Sequence, residues 1–157
     1  MARPTLLHSF AVLAGLATAG PAFAECAPFT LTSDSTTRTV DHFDAGHGGP
    51  GDLRIGSRLV KLDGQPKGET HWVGVLLGSG EDAPVLFNRV WRLDDGEIHA
   101  SHVTNVVSPP ADTSEPSIAG SDAVIIGGTG SYAGANGTVS VDLESTSVTY
   151  IFEIECE

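Results

Sequence analysis

The chain has 157 residues, 19 of them glycine, with 20 Asp and Glu against 8 Lys and Arg and a formal net charge of −12. That length holds one domain and excludes a second. The acidic balance excludes nucleic-acid binding, which needs a basic face to displace counterions from phosphates. Glycine beside abundant Val, Thr, Ser and Ile is the composition of strands and turns.

Residues 1–24 read as an export signal. Arg3 gives a small positive start, Phe10 to Ala19 an apolar run, and Ala22-Phe23-Ala24 the small-x-small pattern that a signal peptidase cleaves. The apolar run is about half of the ~20 residues a membrane span requires. Cys26 follows Phe-Ala-Glu, which is not the Leu-x-small pattern of lipid attachment. The expected product is residues 25–157, a single β-domain with no stable membrane anchor after cleavage, in the periplasm or secreted.

In the mature part, Phe29 to Phe43 predicts one long or bent strand, and the glycine-rich stretch Asp44 to Gly51 a turn region. Asp52 to Leu62 predicts the second strand, Asp63 to Pro66 a turn, Glu69 to Leu77 the third strand and Val85 to Leu93 the fourth. Asp94-Asp95-Gly96 is a hairpin signal into the fifth, Glu97 to Val107. Ser108 to Glu115, with Pro109 and Pro110 and then Pro116, can be neither a central strand nor a helix, and is expected to form a lid or rim. Ile118 to Ile126, Asn136 to Leu143 and Ser147 to Glu155 complete eight strands.

Eight short strands without a convincing 3.6-residue period outside the signal predict an all-β fold, an eight-stranded antiparallel up-and-down β-barrel. Barrels of that strand number are filled by side chains or hold one small ligand. Their first and last strands are antiparallel neighbours, which would bring Cys26 beside Cys156. These are the only two cysteines. Two free thiols or a metal pair are the other readings, and export favours the disulfide.

Ile126 to Gly137 holds five glycines in twelve residues. A glycine-rich turn after a strand also opens dinucleotide-binding sites, but Thr138 to Leu143 runs on as a β-branched strand where such a site needs a helix N-terminus. In this place the stretch resembles the late hairpin of the allene oxide cyclase and dirigent barrel superfamily. Gly51-Asp52-Leu53, Gly68 to Leu77 and Gly96-Glu97-Ile98 follow in the order and spacing of its cyclase branch. The resemblance implies catalysis without metal or organic cofactor: an apolar, reactive molecule is confined in one shape while a few polar groups stabilise developing charge. It also implies an acidic residue on the first strand, for which Asp41 is the nearest candidate and Asp44 the next. Gly134 and Asn136 stand where dirigent proteins carry arginines, and Gly74 where the plant cyclase cavity has a cysteine, so neither of those chemistries is implied. Relatives often form trimers through their outer faces.

Alternation alone places Leu53, Ile55 and Leu59 in the core and leaves Arg54 and Arg58 in solvent. The resemblance turns Arg54, Gly56 and Arg58 inward, with Trp72 and Gly74 beside them. In that register Arg54 and Arg58, in a barrel lined by Trp72, Phe87 and Trp91, suit an apolar small molecule with an anionic head, and Leu53, Ile55 and Leu59 become candidate contacts for a homo-oligomer, a trimer by resemblance. Trp72 and Trp91 read equally as barrel filling. Asn105 would orient a water or a carbonyl, or cap a turn.

No metal motif is present: His99 and His102, three apart on a strand, face opposite sides. No Gly-x-Ser-x-Gly elbow surrounds Ser57, Ser101 or Ser140, which excludes that serine hydrolase pattern. Two readings follow. One is a cofactor-free isomerase or cyclase acting on an apolar, anionic small molecule inside the barrel. The other is a non-catalytic ligand-binding, dirigent-like or structural barrel.

Overall fold

The computed structural model describes residues 26–34, 39–43, 49–79, 83–105, 122–143 and 147–156, with the backbone alone at 39–43 and 143. The signal segment and the proline-rich loop of the sequence reading lie outside the described residues. The described residues are all-β, with strands β1 (Phe29–Asp34), β2 (Thr39–Phe43), β3 (Leu53–Leu62), β4 (Gln65–Leu76), β5 (Pro84–Leu93), β6 (Gly96–Asn105), β7 (Ala123–Gly130), β8 (Ala135–Leu143) and β9 (Ser147–Cys156).

Each of β2 to β9 pairs antiparallel with its neighbour in sequence, and β1 closes the ring by pairing with β9 and with β3. Thr32 sits opposite Lys61 on one side of the seam, while Phe29 to Asp34 lie opposite Phe152 to Ser147 on the other. β1 and β2 thus share one place in an eight-stranded barrel, the bent first strand expected from sequence.

Strand bounds differ from the sequence reading at three points. The β3–β4 turn is only Asp63-Gly64, with φ of 50° and 77°, the two positive values that a tight hairpin with native twist needs. Strand pairing therefore resumes at Gln65, and Pro66 is tolerated because the register shifts beside it, between Val60 and Lys61. The fifth strand starts at Gly96 and the sixth runs on to Gly130, while residues 106–121, which include the expected end of the fifth and start of the sixth, lie outside the described residues. β7 runs on through Gly127, Gly128 and Gly130, which pair with β6, so the turn of the glycine-rich hairpin shrinks to Ser131–Gly134.

One end of the barrel is packed solid. Leu31, Val60, Trp91, Ile98, Val139, Tyr150, Phe152 and Ile154 are all buried there in one cluster. Cys26 and Cys156 pack on it and form a disulfide, Cα–Cα 5.3 Å, a bond that belongs to an oxidising, non-cytoplasmic compartment. Asp95 locks the same end. Its carboxylate accepts from Tyr132 Oη (3.2 Å) and from Lys67 Nζ (3.1 Å), while its carbonyl accepts from Ser131 N (2.8 Å). Burial, with the Asp95 charge adding to it, pushes the Tyr132 hydroxyl up to about 12. Three hairpins meet on this one residue.

Candidate functional site

The register of β3 decides what lines the other half of the barrel. Arg58 is 6% exposed, while Leu59 is 55% and Ile55 39% exposed. The inward set is therefore Arg54, Gly56, Arg58 and Val60, and the arrangement that alternation alone favours is reversed. The physical reason is that the outer wall is itself apolar. Leu53, Val75, Leu86 and Val103 pair in one row across β3 to β6, so hydrophobicity does not mark the interior side of β3.

Residues directly opposite one another in a ladder share a face, and the pairings stack the interior into rows. Arg58, Thr70, Trp91 and Ile98 form one, Gly56, Trp72, Arg89 and Ala100 the next, and Arg54, Gly74, Phe87 and His102 the one beyond. Leu76, Val85 and Thr104 lie nearest that end of the barrel. Leu76, Val85 and Phe87 form a second small cluster with Ala83, against which Trp72 packs, separate from the core of the closed end. Arg54, Trp72, His102 and Thr104 face inward yet are only half-buried, so solvent reaches the interior from this side. Asp52 is buried at the same end, where its carboxylate accepts from Gly49 N at 3.0 Å.

Two glycines shape the wall. A Cβ on Gly56 would fall inside the Trp72 indole, and one on Gly74 would come within 2.8 Å of the Phe87 ring. Each ring therefore packs against bare backbone of the neighbouring strand. Trp72 meets Phe87 edge-on at 6.1 Å, and His102 stacks on Phe87 at 5.4 Å with 14° between planes. Three rings from three adjacent strands make one aromatic face.

Arg89 projects between this face and the closed core. It is 6% exposed, with Cζ 5.7 Å from the Trp91 ring centroid and 5.2 Å from that of Tyr150, so the negative faces of two core aromatics support a buried cation. Arg54, Arg58 and Arg89 are three of eight Lys and Arg in a chain of net charge −12. Among the described residues, Asp52 is the one carboxylate buried with these three cations. His102 registers the consequence: burial first, and then the charge of Arg89, lower its imidazole from 6.5 to about 4. It is neutral at physiological pH. Both ring nitrogens are buried, and neither has a hydrogen-bond partner among the described residues.

Of the residues expected from sequence, Arg54, Arg58 and Trp72 come together here. Trp91 does not reach the aromatic face: it is fully buried in the closed core, edge-on to Tyr150 and Phe152, and so serves as packing and as support for Arg89. Asn105 ends β6 opposite Pro84 with an exposed side chain. It stands on the strand face opposite to His102, away from the interior group. Asp41 pairs with Ile55 rather than with Arg54 or Gly56, and its side chain lies outside the described residues, as does Asp44. Among the described residues no group of three His, Cys, Asp or Glu could hold a metal ion. His99 faces outward beside Glu97 at 3.4 Å.

Arg89 and His102 carry as much of the site as the residues picked from sequence. The signal for Arg89 is its parity: Val85, Phe87, Trp91 and Leu93 are apolar at every second position of β5, and Arg89 interrupts that series. The His102 signal is weaker, since inward Ile98 and Ala100 precede it on a strand whose outward side is mixed.

No protein-family model matches the chain, and no curated protein matches its sequence. Among solved structures, pyocyanin demethylase is similar, with a TM-score of 0.66 and 23% identity over 82% of this chain and 99% of that one. At that identity the likeness establishes a shared small β-barrel fold.

Proposed function

We propose that the protein binds one small, apolar, anionic molecule in the open half of its barrel and acts on it as a cofactor-independent isomerase or cyclase, in the periplasm or outside the cell. The observation that carries this reading is that two buried arginines, Arg58 and Arg89, each 6% exposed, stand in the two interior rows behind the one that holds Phe87 and His102, with Trp72 packed on Phe87. An anionic head would add charge-assisted hydrogen bonds to these cations, and its apolar body would rest on the neighbouring rings. Arg54, half-buried in the outermost of the three rows, would guide the anion in. The acid of the reaction is not assigned to Asp41, whose backbone position is opposite the outward-facing Ile55. The similarity to pyocyanin demethylase adds that a barrel of this fold serves as an enzyme on a small molecule, pyocyanin, which makes that compound a sensible first ligand.

The second reading is a non-catalytic, ligand-binding or dirigent-like barrel. It is favoured by the scarcity of acid groups inside: among the described residues the interior holds no carboxylate besides Asp52, which accepts from the backbone of its own turn. In either reading the exposed apolar outer wall of Ile55, Leu59, Val103, Val124 and Ile126 would be covered by further copies in a homo-oligomer such as a trimer.

Native mass spectrometry of the disulfide-intact protein with a fatty carboxylate, an aromatic carboxylate and pyocyanin tests the reading, with Arg58→Gln and Arg89→Gln in parallel. Retention of one ligand by the wild type and its loss from both variants is expected. Recovery of a rearranged product supports the isomerase, and recovery of unchanged ligand the carrier. A folded protein that retains none of the three, or retains them equally without the arginines, removes the proposal.

A further inference from the structure

His102 and Arg89 stand on adjacent strands, one interior row apart, and the Arg89 guanidinium lies over Trp91 and Tyr150 on the side of the closed core. Phe87 lies directly opposite His102, and Arg89 is two residues on from Phe87, the diagonal separation of about 7 Å over which long side chains meet. A carboxylate docked on Arg89 alone would use both oxygens in a planar fork and leave the imidazole unused. A single oxygen set between the two residues can instead accept an N–H from each, because even a neutral imidazole carries one donor nitrogen. Both His102 nitrogens are buried without a hydrogen-bond partner among the described residues, so such an oxygen would also satisfy a group that is otherwise expensive to keep there.

We propose that Arg89 and His102 form an oxyanion pair that takes up a weakly acidic hydroxyl, an enol or a phenol, as its conjugate base, with the ligand's carbon frame on the Trp72–Phe87 face; this rests on the binding reading above. On entry the O–H bond breaks, the electron pair stays on oxygen, and the proton leaves to solvent through the open end. His102 stays neutral and donates, while the positive charge that drives ionisation is that of Arg89. Burial first, and then the Arg89 charge, lower the His102 pKa, so that charge acts on a group already in place. An enolate is the species a cofactor-free isomerase has to stabilise when it moves a proton next to a carbonyl. The pair therefore gives the proposed activity a specific chemical task.

4-Nitrophenol tests this, since its neutral and ionised forms absorb at different wavelengths, with 2-naphthalenesulfonate as an anion that is charged at every working pH. Both probes should bind the wild type, and bound nitrophenol should be a stronger acid than free nitrophenol by about tenfold or more. His102→Phe, which keeps a ring on Phe87 but removes the donor, should lose most of that increase and still bind the sulfonate. Arg89→Gln should weaken both probes. If the sulfonate binds while nitrophenol fails to bind or titrates as it does in free solution, the oxyanion pair is wrong and the anion site stands. An unchanged titration in His102→Phe likewise overturns the role of the imidazole. If neither probe binds the folded wild type, the anion site itself fails.

Discussion

At the scale of single residues, the interior is governed by what two small positions and one imidazole allow. Gly56 exists so that the Trp72 indole can lie on the backbone of β3. Gly56→Ala should push that ring away and destabilise the fold by about 1–3 kcal/mol, the usual cost of overpacking, with a change in tryptophan emission that a substitution at exposed Thr32 would not give. Denaturant titration with fluorescence detection reads both effects. His102 makes a second prediction. Its folded pKa, about 4, lies below the ordinary 6.5, so the unfolded chain binds more protons between those values. The imidazole therefore adds no pH dependence above pH 6.5, and stability is lost as pH falls from there through 4. His102→Phe should remove this dependence. The urea midpoint of the wild type should drop relative to the variant on going from pH 7 to pH 4, and parallel curves would show that the imidazole is not desolvated as described.

At the scale of the strand, β3 shows how much of the fold was legible in the sequence and where reading stopped. Turn chemistry at Asp63-Gly64 and Asp94-Asp95-Gly96, together with the alternation of Val85, Phe87, Trp91 and Leu93, fixes most strands to within a few residues because those signals act locally. The facing of β3 is different. Leu53, Ile55 and Leu59 compete with Gly56, Arg58 and Val60 for the interior, and pattern strength favours the wrong set. Only closure of the ring resolves it, because it decides which face of the β3–β4 ladder, with Gly56 against Trp72 and Arg58 against Thr70, becomes the interior. Arg89 was missed for a related reason: a cation on an apolar parity looks like an exception until Trp91 and Tyr150 are seen beneath it. Adjacent substitutions on β3 test the facing. Val60→Ala should cost about 2 kcal/mol, from two lost methyl-sized contacts plus a cavity, whereas Leu59→Thr should change the stability of the monomeric barrel by less than about 0.5 kcal/mol. Equal costs by thermal or urea unfolding would contradict the register.

At the scale of the whole molecule, the barrel is a ring with one seam, and the seam is where the chain begins and ends. Every pairing except those of β1 joins strands close in sequence, and only β1 brings residues 29–34 to 147–152. Its hold on β9 comes from that ladder, from Phe29 stacked on Phe152 at 4.5 Å, and from the disulfide, which spans a sequence separation of 130. In the chain-entropy model a loop of that length is worth about 5 kcal/mol, comparable to the total stability of many small domains. The proposed anion site lies toward the opposite end, built on β3 to β6, of which only β3 also pairs with β1 at the seam. Removing the disulfide by Cys26→Ser with Cys156→Ser should therefore lower global stability by several kcal/mol while leaving the site formed wherever the barrel remains closed. Hydrogen exchange separates the two effects: amides of β1 should lose protection first, and those of β4 and β5 should follow only the global loss. Uniform loss across all strands would mean that the ring opens as a single unit, with the seam no weaker than any other pairing.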